Sequence, residues 1–272
     1  MKNTFKKLFI SFTVLSLTAC GSTTMQDNTF AAKENKDFTK YTNQLVVEYA
    51  ENDYTTMHQF FEHPEDYGID VNKVDICLGE FYTDNTKEIK EDQKELKKFN
   101  RSTLDKTQQT IYDELKYENE LSLKAENKKF QYLNNCWSTM SGLHQSLISV
   151  FSEYILRNEQ DIKDLITLIN DVPRYTNDVL EYTKEQADKN TLQFDYDSVT
   201  QDIQDVINNK EDSSITSALY NAIDALNLDA EKTTSYKAQV KEAMDTSFFP
   251  SYQSMLDTLT SLQSKVQPLQ GL

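Results

Sequence analysis

The sequence predicts an all-α fold, an irregular multi-helix domain preceded by a cleaved signal peptide. Glycine and proline are scarce, with five and four in 272 residues, whereas a β-sandwich or barrel needs frequent turns and an α/β fold needs β-branched runs. Apolar residues instead recur at the three- and four-residue spacing of a helix face, which predicts about nine to eleven helices. No repeat of fixed period appears, which argues against a solenoid.

Residues 1–19 have the pattern of a bacterial lipoprotein signal peptide. Lys2, Lys6 and Lys7 form a charged region, and the apolar run "LFISFTVLSL" that follows is too short to span a bilayer. The letters "LTAC" that end at Cys20 resemble a lipobox, in which a lipid is attached to the cysteine before cleavage. We therefore expect Cys20 to be a lipidation site that anchors an exported protein to the bacterial cell membrane, on its extracytoplasmic side. An ordinary secretory signal with a chance cysteine is the alternative.

The segment after the anchor predicts a flexible spacer, and the charge of the chain limits its partners. Residues 20–34 are small and polar without periodicity. Removal of residues 1–19 takes away three lysines, so the formal charge changes from −16 to −19. Because nucleic acids and anionic lipids attract Lys and Arg, we expect no nucleic-acid partner and no direct electrostatic binding to lipid.

Three apolar stripes predict helices in the first half of the body, which spans residues 35–272. Their members are Phe38, Tyr41, Leu45 and Tyr49, then Leu104, Thr107, Ile111 and Leu115, and then Leu143, Leu147, Val150 and Tyr154. We expect Ser102 or Thr103 to cap the second of these helices.

Cap residues predict the helices that follow the third stripe. Asn158 with Asp161 three residues later is typical of a capping box. Pro173 is expected to begin another helix after a turn at Asp171, since proline is favoured in the first turn.

Further caps predict the last helices. Asp197, Ser213 or Ser214, and Asp229 each precede a helical pattern. Pro250 interrupts the last pattern and should kink or break that helix.

The stretch "HQFFEHP" is the nearest approach to a metal-binding motif. His58 and His63 resemble the inverted zincin motif H-x-x-E-H, but they are five residues apart, about 140° around a helix, and Pro64 follows directly. We therefore expect a helix end that leads into a turn, and no metal ligand here.

The other candidate site residues also favour structural roles. His144 has no nucleophile at a known spacing and is expected near a helix N-terminus. Asp195 and Asp197 begin like a calcium loop but lack its Gly and Glu positions. The many Tyr and Phe residues could line a groove for peptide or glycan, although at helical spacing they are expected in the core.

Two cysteines remain in the mature chain, Cys77 and Cys136. A disulfide between them would close a long loop and is permitted after export. Two half-buried free thiols are the favoured alternative, and zinc is not expected because no CxxC or suitably spaced His accompanies them.

Several stretches together resemble one bacterial family. "FFEHPEDYGID", "STLDKTQQTIYDEL", "SGLHQSLISVFSEYILRNEQDIKDLITLINDVPRYTNDVLEY" and "FFPSYQSMLDTLTSL" follow the order found in the N-terminal half of the domain-of-unknown-function 885 family. The resemblance covers about residues 35–266. Its longest part, 141–182, is its most specific.

The resemblance implies a scaffold of a zincin-like metallopeptidase. Family members are longer and carry H-E-x-x-H in a C-terminal catalytic half, where two His bind zinc and the Glu acts as general base. This sequence contains no H-E-x-x-H, so no catalytic or metal-binding residue is assigned to it, and zinc is expected only in a C-terminal half.

Three functions stay open at this stage. The chain is expected to be one wall of a peptide cleft that works with a separate catalytic half. The alternatives are a stand-alone surface lipoprotein for binding or adhesion, and an inactive truncated remnant.

Overall fold

The protein is almost entirely helical in the computed structural model, which describes residues 33–81 and 84–268. Beyond one isolated bridge between Gln193 and Gln267, this described part contains no strand. The predicted all-α fold is therefore confirmed. The helices are α1 Lys36–Asn52, α2 Tyr54–Phe60, α3 Thr86–Leu96, α4 Lys106–Ala125, α5 Leu143–Ser152, α6 Glu159–Asp188, α7 Tyr196–Asn208, α8 Ser214–Ala225, α9 Ala230–Ala243 and α10 Phe249–Leu262. The predicted signal peptide, Cys20 and the spacer up to residue 32 lie outside the described residues.

The described chain divides into two compact units. Unit one contains residues 33–52, 63–74 and 84–131, and unit two contains residues 53–62, 75–81 and 132–268. Helices α1, α3 and α4 therefore belong to unit one, and the other seven helices belong to unit two.

Unit one is built on a small apolar core. Phe38 and Leu45 of α1 pack with Leu96 at the end of α3, and the predicted stripe of α4 contributes Ile111 and Leu115. The Phe38 and Phe99 rings meet edge to face, with centroids 5.1 Å apart. The predicted stripes of α1 and α4 therefore face one another across this core.

The start of α4 differs from the sequence prediction. Asp105, rather than Ser102 or Thr103, is the N-cap, and it forms a capping box with Gln108. The buried Gln108 side chain also accepts a hydrogen bond from Asn35 N and donates one to Asn35 O, both at 2.9 Å. Because Gln108 has this role, Thr107 beside it is exposed and is not part of the stripe.

Unit two is organised around α6, a helix of thirty residues. Its N-terminus is the predicted capping box, in which Asn158 accepts from Asp161 N and Asp161 accepts from Asn158 N. Apolar side chains are buried along its whole length, at Ile162, Leu165, Leu168, Ile169, Val172, Val179, Leu180 and Ala187. Helices α9 and α10 and the turn between them pack against it.

The predicted helix boundary at Asp171 and Pro173 is wrong, because α6 continues through both residues. A proline inside a helix costs about 3 kcal/mol, since it lacks the N–H that would donate to the carbonyl of Ile169. Burying each apolar side chain contributes about 1.5–3 kcal/mol, and buried residues lie on both sides of the proline. The combined burial exceeds the cost of Pro173 and keeps the helix continuous.

The last helices mostly begin where the sequence predicts. Ser213 caps α8 and Asp229 caps α9. The cap of α7 is Asp195, not Asp197, and Asp195 accepts a hydrogen bond from Ser198 N at 3.2 Å. Helix α10 packs on α7, and α8 packs on α5 and α9.

The expected interruption at Pro250 takes the form of a π turn. Residues Met244–Phe248 form this turn between α9 and α10, and Pro250 lies in the first turn of α10. The backbone stays helical from α9 into α10, and Phe249 N donates to Met244 O five residues earlier, so the helix is not broken at the proline. The wider π turn is a typical way for a helix to accommodate such an irregularity.

We predict that the two prolines differ in their effect on stability. Replacing Pro173→Ala restores an N–H donor inside α6 and should raise the free energy of unfolding by about 1–3 kcal/mol, measured by urea unfolding followed by circular dichroism. The matched variant Pro250→Ala lies where the π turn Met244–Phe248 already accommodates the proline, and it makes the unfolded chain more flexible, so its gain should be smaller. Equal gains from both variants would contradict this explanation.

Candidate peptide groove

Two cavities lie side by side along α5 in unit two. The first has a volume of about 240 Å³ and the second about 160 Å³. Thr55 of α2 and Val150 of α5 line both, so the two cavities adjoin there. We call their combined lining, which extends along α5 from Leu143 to Glu153, the α5 groove. The other lining residues are Leu78, Phe81, Asn134, Asn135, Cys136, Ser141, Leu143, Ser146, Leu147, Tyr175 and Val179 in the first cavity, and Thr56, His58, Gln59, Ser149, Glu153, Tyr154 and Ile155 in the second.

One wall of the first cavity is the segment 75–81, which α6 holds in place. Asp171 Oδ2 accepts a hydrogen bond from Leu78 N at 2.8 Å, and Arg174 Nη2 donates to Gly79 O at 2.8 Å. Asp171 and Arg174 also pair with one another at 2.6 Å, and this bond raises the pKa of the guanidinium. Gly79 has a φ of 78°, a left-handed conformation that glycine adopts without strain.

A second wall is the segment 132–142, which is also fixed to α6. Tyr182 Oη accepts a hydrogen bond from Asn134 N at 3.1 Å, and Gln186 Nε2 donates to Asn134 O at 2.8 Å. The Trp137 indole is buried and donates to Thr183 Oγ1 at 2.9 Å. These bonds place an irregular loop beside the N-terminus of α5.

None of the described residues that line the first cavity is charged. Its polar groups are the amides of Asn134 and Asn135 and the hydroxyls of Thr55, Ser141, Ser146 and Tyr175, beside apolar residues. Burial raises the pKa of the Cys136 thiol to about 12, so this thiol stays protonated at neutral pH and is not a nucleophile. Such a surface can hydrogen-bond the main chain of a peptide and pack against uncharged side chains.

The second cavity is bounded by a stacked His58. Its imidazole lies between the rings of Tyr54 and Tyr154, with centroids 5.5 Å and 4.4 Å away and nearly parallel planes. His58 Nε2 is 2.7 Å from Ile155 O, to which it donates. Burial lowers the pKa of His58, and the Ile155 carbonyl and Asp161 oppose this effect only in part. His58 is therefore neutral at pH 7.

A chain of hydroxyl groups extends behind His58. Tyr54 Oη donates to Asp164 Oδ2 at 3.0 Å and is 2.8 Å from Tyr154 Oη. Burial raises the pKa of both tyrosines. Asp164, which accepts from Tyr54, is not among the residues that line the second cavity.

The remaining sequence candidates have structural positions. His58 lies in the last turn of α2, and exposed His63 precedes the 3₁₀ turn Pro64–Tyr67, as the helix-end interpretation predicted. His144 is near the N-terminus of α5, as predicted. Cys77 and Cys136 are free thiols, as the favoured alternative to a disulfide predicted, but only Cys77 is half-buried as expected and Cys136 is buried.

His144 is unusual because it is only 1% exposed and both ring nitrogens lack a hydrogen-bond partner within the described residues. Asp202 Oδ2 lies 3.6 Å from Nε2. Burial lowers the pKa of His144, and Asp202 opposes this in part. The adjacent Gly142 has no room for a side chain, since a Cβ would lie 2.5 Å from Ser138 O.

The described residues do not fit a catalytic zinc ion. Within residues 33–81 and 84–268, no group of three or more His, Cys, Asp or Glu side chains could hold a metal. A helix long and apolar enough to cross a membrane is likewise not found in these two ranges.

Sequence analysis did not identify the residues that form the groove. Asn134 and Asn135 lie in a loop with no periodicity, and Tyr154 was assigned to a helical stripe although α5 ends at Ser152. Tyr54 and His58 are four residues apart in α2, and this spacing was the one signal of a shared helix face.

Comparison with known proteins gives one family match. The family model described as "Bacterial protein of unknown function (DUF885)" matches residues 68–270. No curated protein and no solved structure matches the chain.

We predict that His144 makes stability depend on pH. In the unfolded chain its pKa is about 6.5, whereas the folded pKa is lower. The unfolded chain therefore binds the proton first, and the contribution present above pH 6.5 is lost as the pH falls. His144→Phe keeps a ring beside Trp137 and should reduce the loss of stability between pH 7.5 and 5, measured by urea unfolding.

The control for this prediction is His63→Phe at an exposed histidine. This variant should leave the pH dependence of the free energy of unfolding as it is in the unmodified protein. The explanation fails if His144→Phe leaves the pH dependence unchanged, or if His63→Phe reduces it to the same extent.

Proposed function

Since this chain belongs to the bacterial DUF885 family, we propose that it is an exported, lipid-anchored protein that forms one wall of the peptide cleft of a zincin-like metallopeptidase. The anchor in this proposal is a lipid on Cys20, on the extracytoplasmic side of the cell membrane. The observation that carries the peptide-binding part is the α5 groove, which extends along α5 and combines amide and hydroxyl groups with apolar residues.

The chemistry of the groove supports a peptide ligand. An extended peptide presents N–H and C=O groups at regular intervals, and amide and hydroxyl side chains can bond to both kinds. Asn134 and Asn135 are exposed at the first cavity, and Ser141 and Ser146 lie on the same lining. Small-molecule and peptide sites in proteins commonly combine such polar groups with an apolar surface.

The proposed role is that of a scaffold. Catalytic zinc needs three protein ligands that converge on one point, and the described residues offer no such set. In this proposal the zinc and its general base belong to a separate catalytic half. An H-E-x-x-H coding sequence directly downstream in the DNA would support this arrangement.

A stand-alone binding lipoprotein is the second candidate, and one observation favours it. Every described residue that lines the α5 groove belongs to unit two of this chain. In this second proposal the groove binds a peptide for capture or adhesion without cleaving it.

We predict that Cys20→Ser abolishes lipid attachment. Cells that express the full chain and are grown with a labelled fatty acid should incorporate the label into the unmodified protein and not into this variant. Cys77→Ser is the matched control and should stay labelled. Label that persists in Cys20→Ser would refute the anchor.

We predict that Val150→Phe lowers peptide affinity roughly tenfold or more, because a larger side chain would fill the junction of the two cavities. Affinity is measured by fluorescence anisotropy on the mature chain with a fluorescein-labelled library of capped pentapeptides. Ser152→Phe is the matched control, since this exposed residue of α5 does not line the groove.

The same samples test the scaffold role. Binding without cleavage, with or without added zinc, is the expected result. Zinc-dependent cleavage by this chain alone would overturn the scaffold role, and the absence of any peptide binding would overturn the groove as a peptide site.

A further inference from the structure

We infer that the α5 groove selects extended peptides that place a Lys or Arg side chain beside Glu153 and uncharged residues at the opposite end. This inference rests on the proposed function and specifies its class of ligand. It follows from the distribution of charge along the groove, from the direction of α5 and from the length of the groove.

The charge of the groove is confined to one end. Among the described residues that line the two cavities, Glu153 is the one side chain that is charged at pH 7, because His58 is held neutral by burial. Glu153 is exposed and directly follows α5. An incoming cation can therefore reach its carboxylate from solvent.

The direction of α5 reinforces this asymmetry. The groove follows a helix of ten residues from Leu143 to Ser152. The C-terminus of a helix carries a partial negative charge of about half an elementary charge, which favours a cation there. Glu153 caps this same end, so its charge and the helix dipole act together.

The charged groups behind the second cavity include both signs. The cation is Arg157, with Nη1 3.5 Å from His58 Nε2. Two carboxylates lie near the same imidazole, since Asp161 Oδ1 is 4.0 Å from His58 Nδ1 and Asp164 accepts a hydrogen bond from Tyr54. Arg157 therefore shares this region with two carboxylates other than Glu153.

The opposite end favours uncharged peptide residues. Its polar lining groups include the amides of Asn134 and Asn135 and several hydroxyls, and none of its described lining residues is charged. A charged peptide side chain would lose hydration there without meeting an opposite charge.

The length of the groove sets the length of the peptide. A ten-residue helix is about 15 Å long at 1.5 Å per residue, and an extended peptide rises about 3.3 Å per residue. The groove therefore holds four to five residues, with the cationic residue at one end and the uncharged contacts roughly three positions away.

The test uses the mature chain and capped pentapeptides of alanine and leucine labelled with fluorescein. One terminal position is Lys, norleucine or Glu, and each peptide is made in both sequence orders because the direction of binding is part of the question. In one of these orders, the Lys peptide should bind several-fold more tightly than the norleucine peptide, and the Glu peptide should bind most weakly. The preference should shrink at high salt, which screens exposed charges.

The variant Glu153→Gln should weaken binding of the Lys peptide about two- to fivefold, the range expected for a partly exposed ion pair. It should leave binding of the norleucine peptide unchanged. Glu242→Gln is the matched control, since Glu242 is an exposed residue of α9 outside the groove, and it should change neither affinity.

Each failure has a distinct meaning. If none of the peptides binds, the proposed peptide groove itself is wrong. If all three bind equally, or if Glu242→Gln matches the effect of Glu153→Gln, the groove binds peptide and the charge selection is wrong. Self-association that Glu153→Gln abolishes and the Lys peptide cannot displace would assign the groove to a second copy of the chain and also overturn the inference.

Discussion

The burial of α6 on both sides of Pro173 is the constraint on which the groove depends. Its buried residues hold α9 and α10 on the body of unit two. Its polar residues hold the two irregular segments that wall the first cavity, through Asp171 and Arg174 for one and Tyr182 and Gln186 for the other. A break at the proline would separate Asp171, which precedes it, from Arg174, Tyr182 and Gln186, which follow it.

Both cavities are lined by α5 but differ in chemistry, because different segments of the chain lie beside the two ends of this helix. Its N-terminal part lies beside a loop of amides, hydroxyls and one protonated thiol, and its C-terminal part lies beside a stacked, neutral imidazole. His58 stays neutral because burial outweighs the nearby carboxylate. The two ends of the groove therefore differ in chemistry, although most of its described lining residues are uncharged.

Sequence reasoning predicted the helices best where a local signal acted alone. Asn158, Ser213 and Asp229 are caps in the structure because each side chain bonds to a backbone N–H two or three residues away. The prediction failed at Pro173, because the burial of apolar residues along α6 outweighs the local cost of the proline. It also failed at the start of α7, where Asp195 rather than Asp197 accepts the hydrogen bond from Ser198 N.

The candidate groove was much less predictable than the helices. The sequence suggested that aromatic residues could line a peptide groove, yet the exposed amides of its lining belong to the loop residues Asn134 and Asn135. The backbone of Asn134 is fixed by Tyr182 and Gln186 of α6, about fifty residues later. No periodicity or motif encodes such contacts. The stretch "HQFFEHP" correctly predicted a helix end near His58. It did not predict the contact of His58 with Tyr154 or the bond from Tyr54 to Asp164, because both partners are distant in sequence.

The long sequence separations in unit two have a consequence for how the groove arises during folding. Helix α2 has seven residues, fewer than an isolated helix needs to persist in water. Its bond from Tyr54 to Asp164 joins residues 110 positions apart, and the bond from Leu78 to Asp171 joins residues 93 positions apart. A chain that emerges N-terminus first must therefore carry α2 and the segment 75–81 unpaired until α6 has followed. The two walls that these segments give the α5 groove can therefore take their final shape only after α6 has been made.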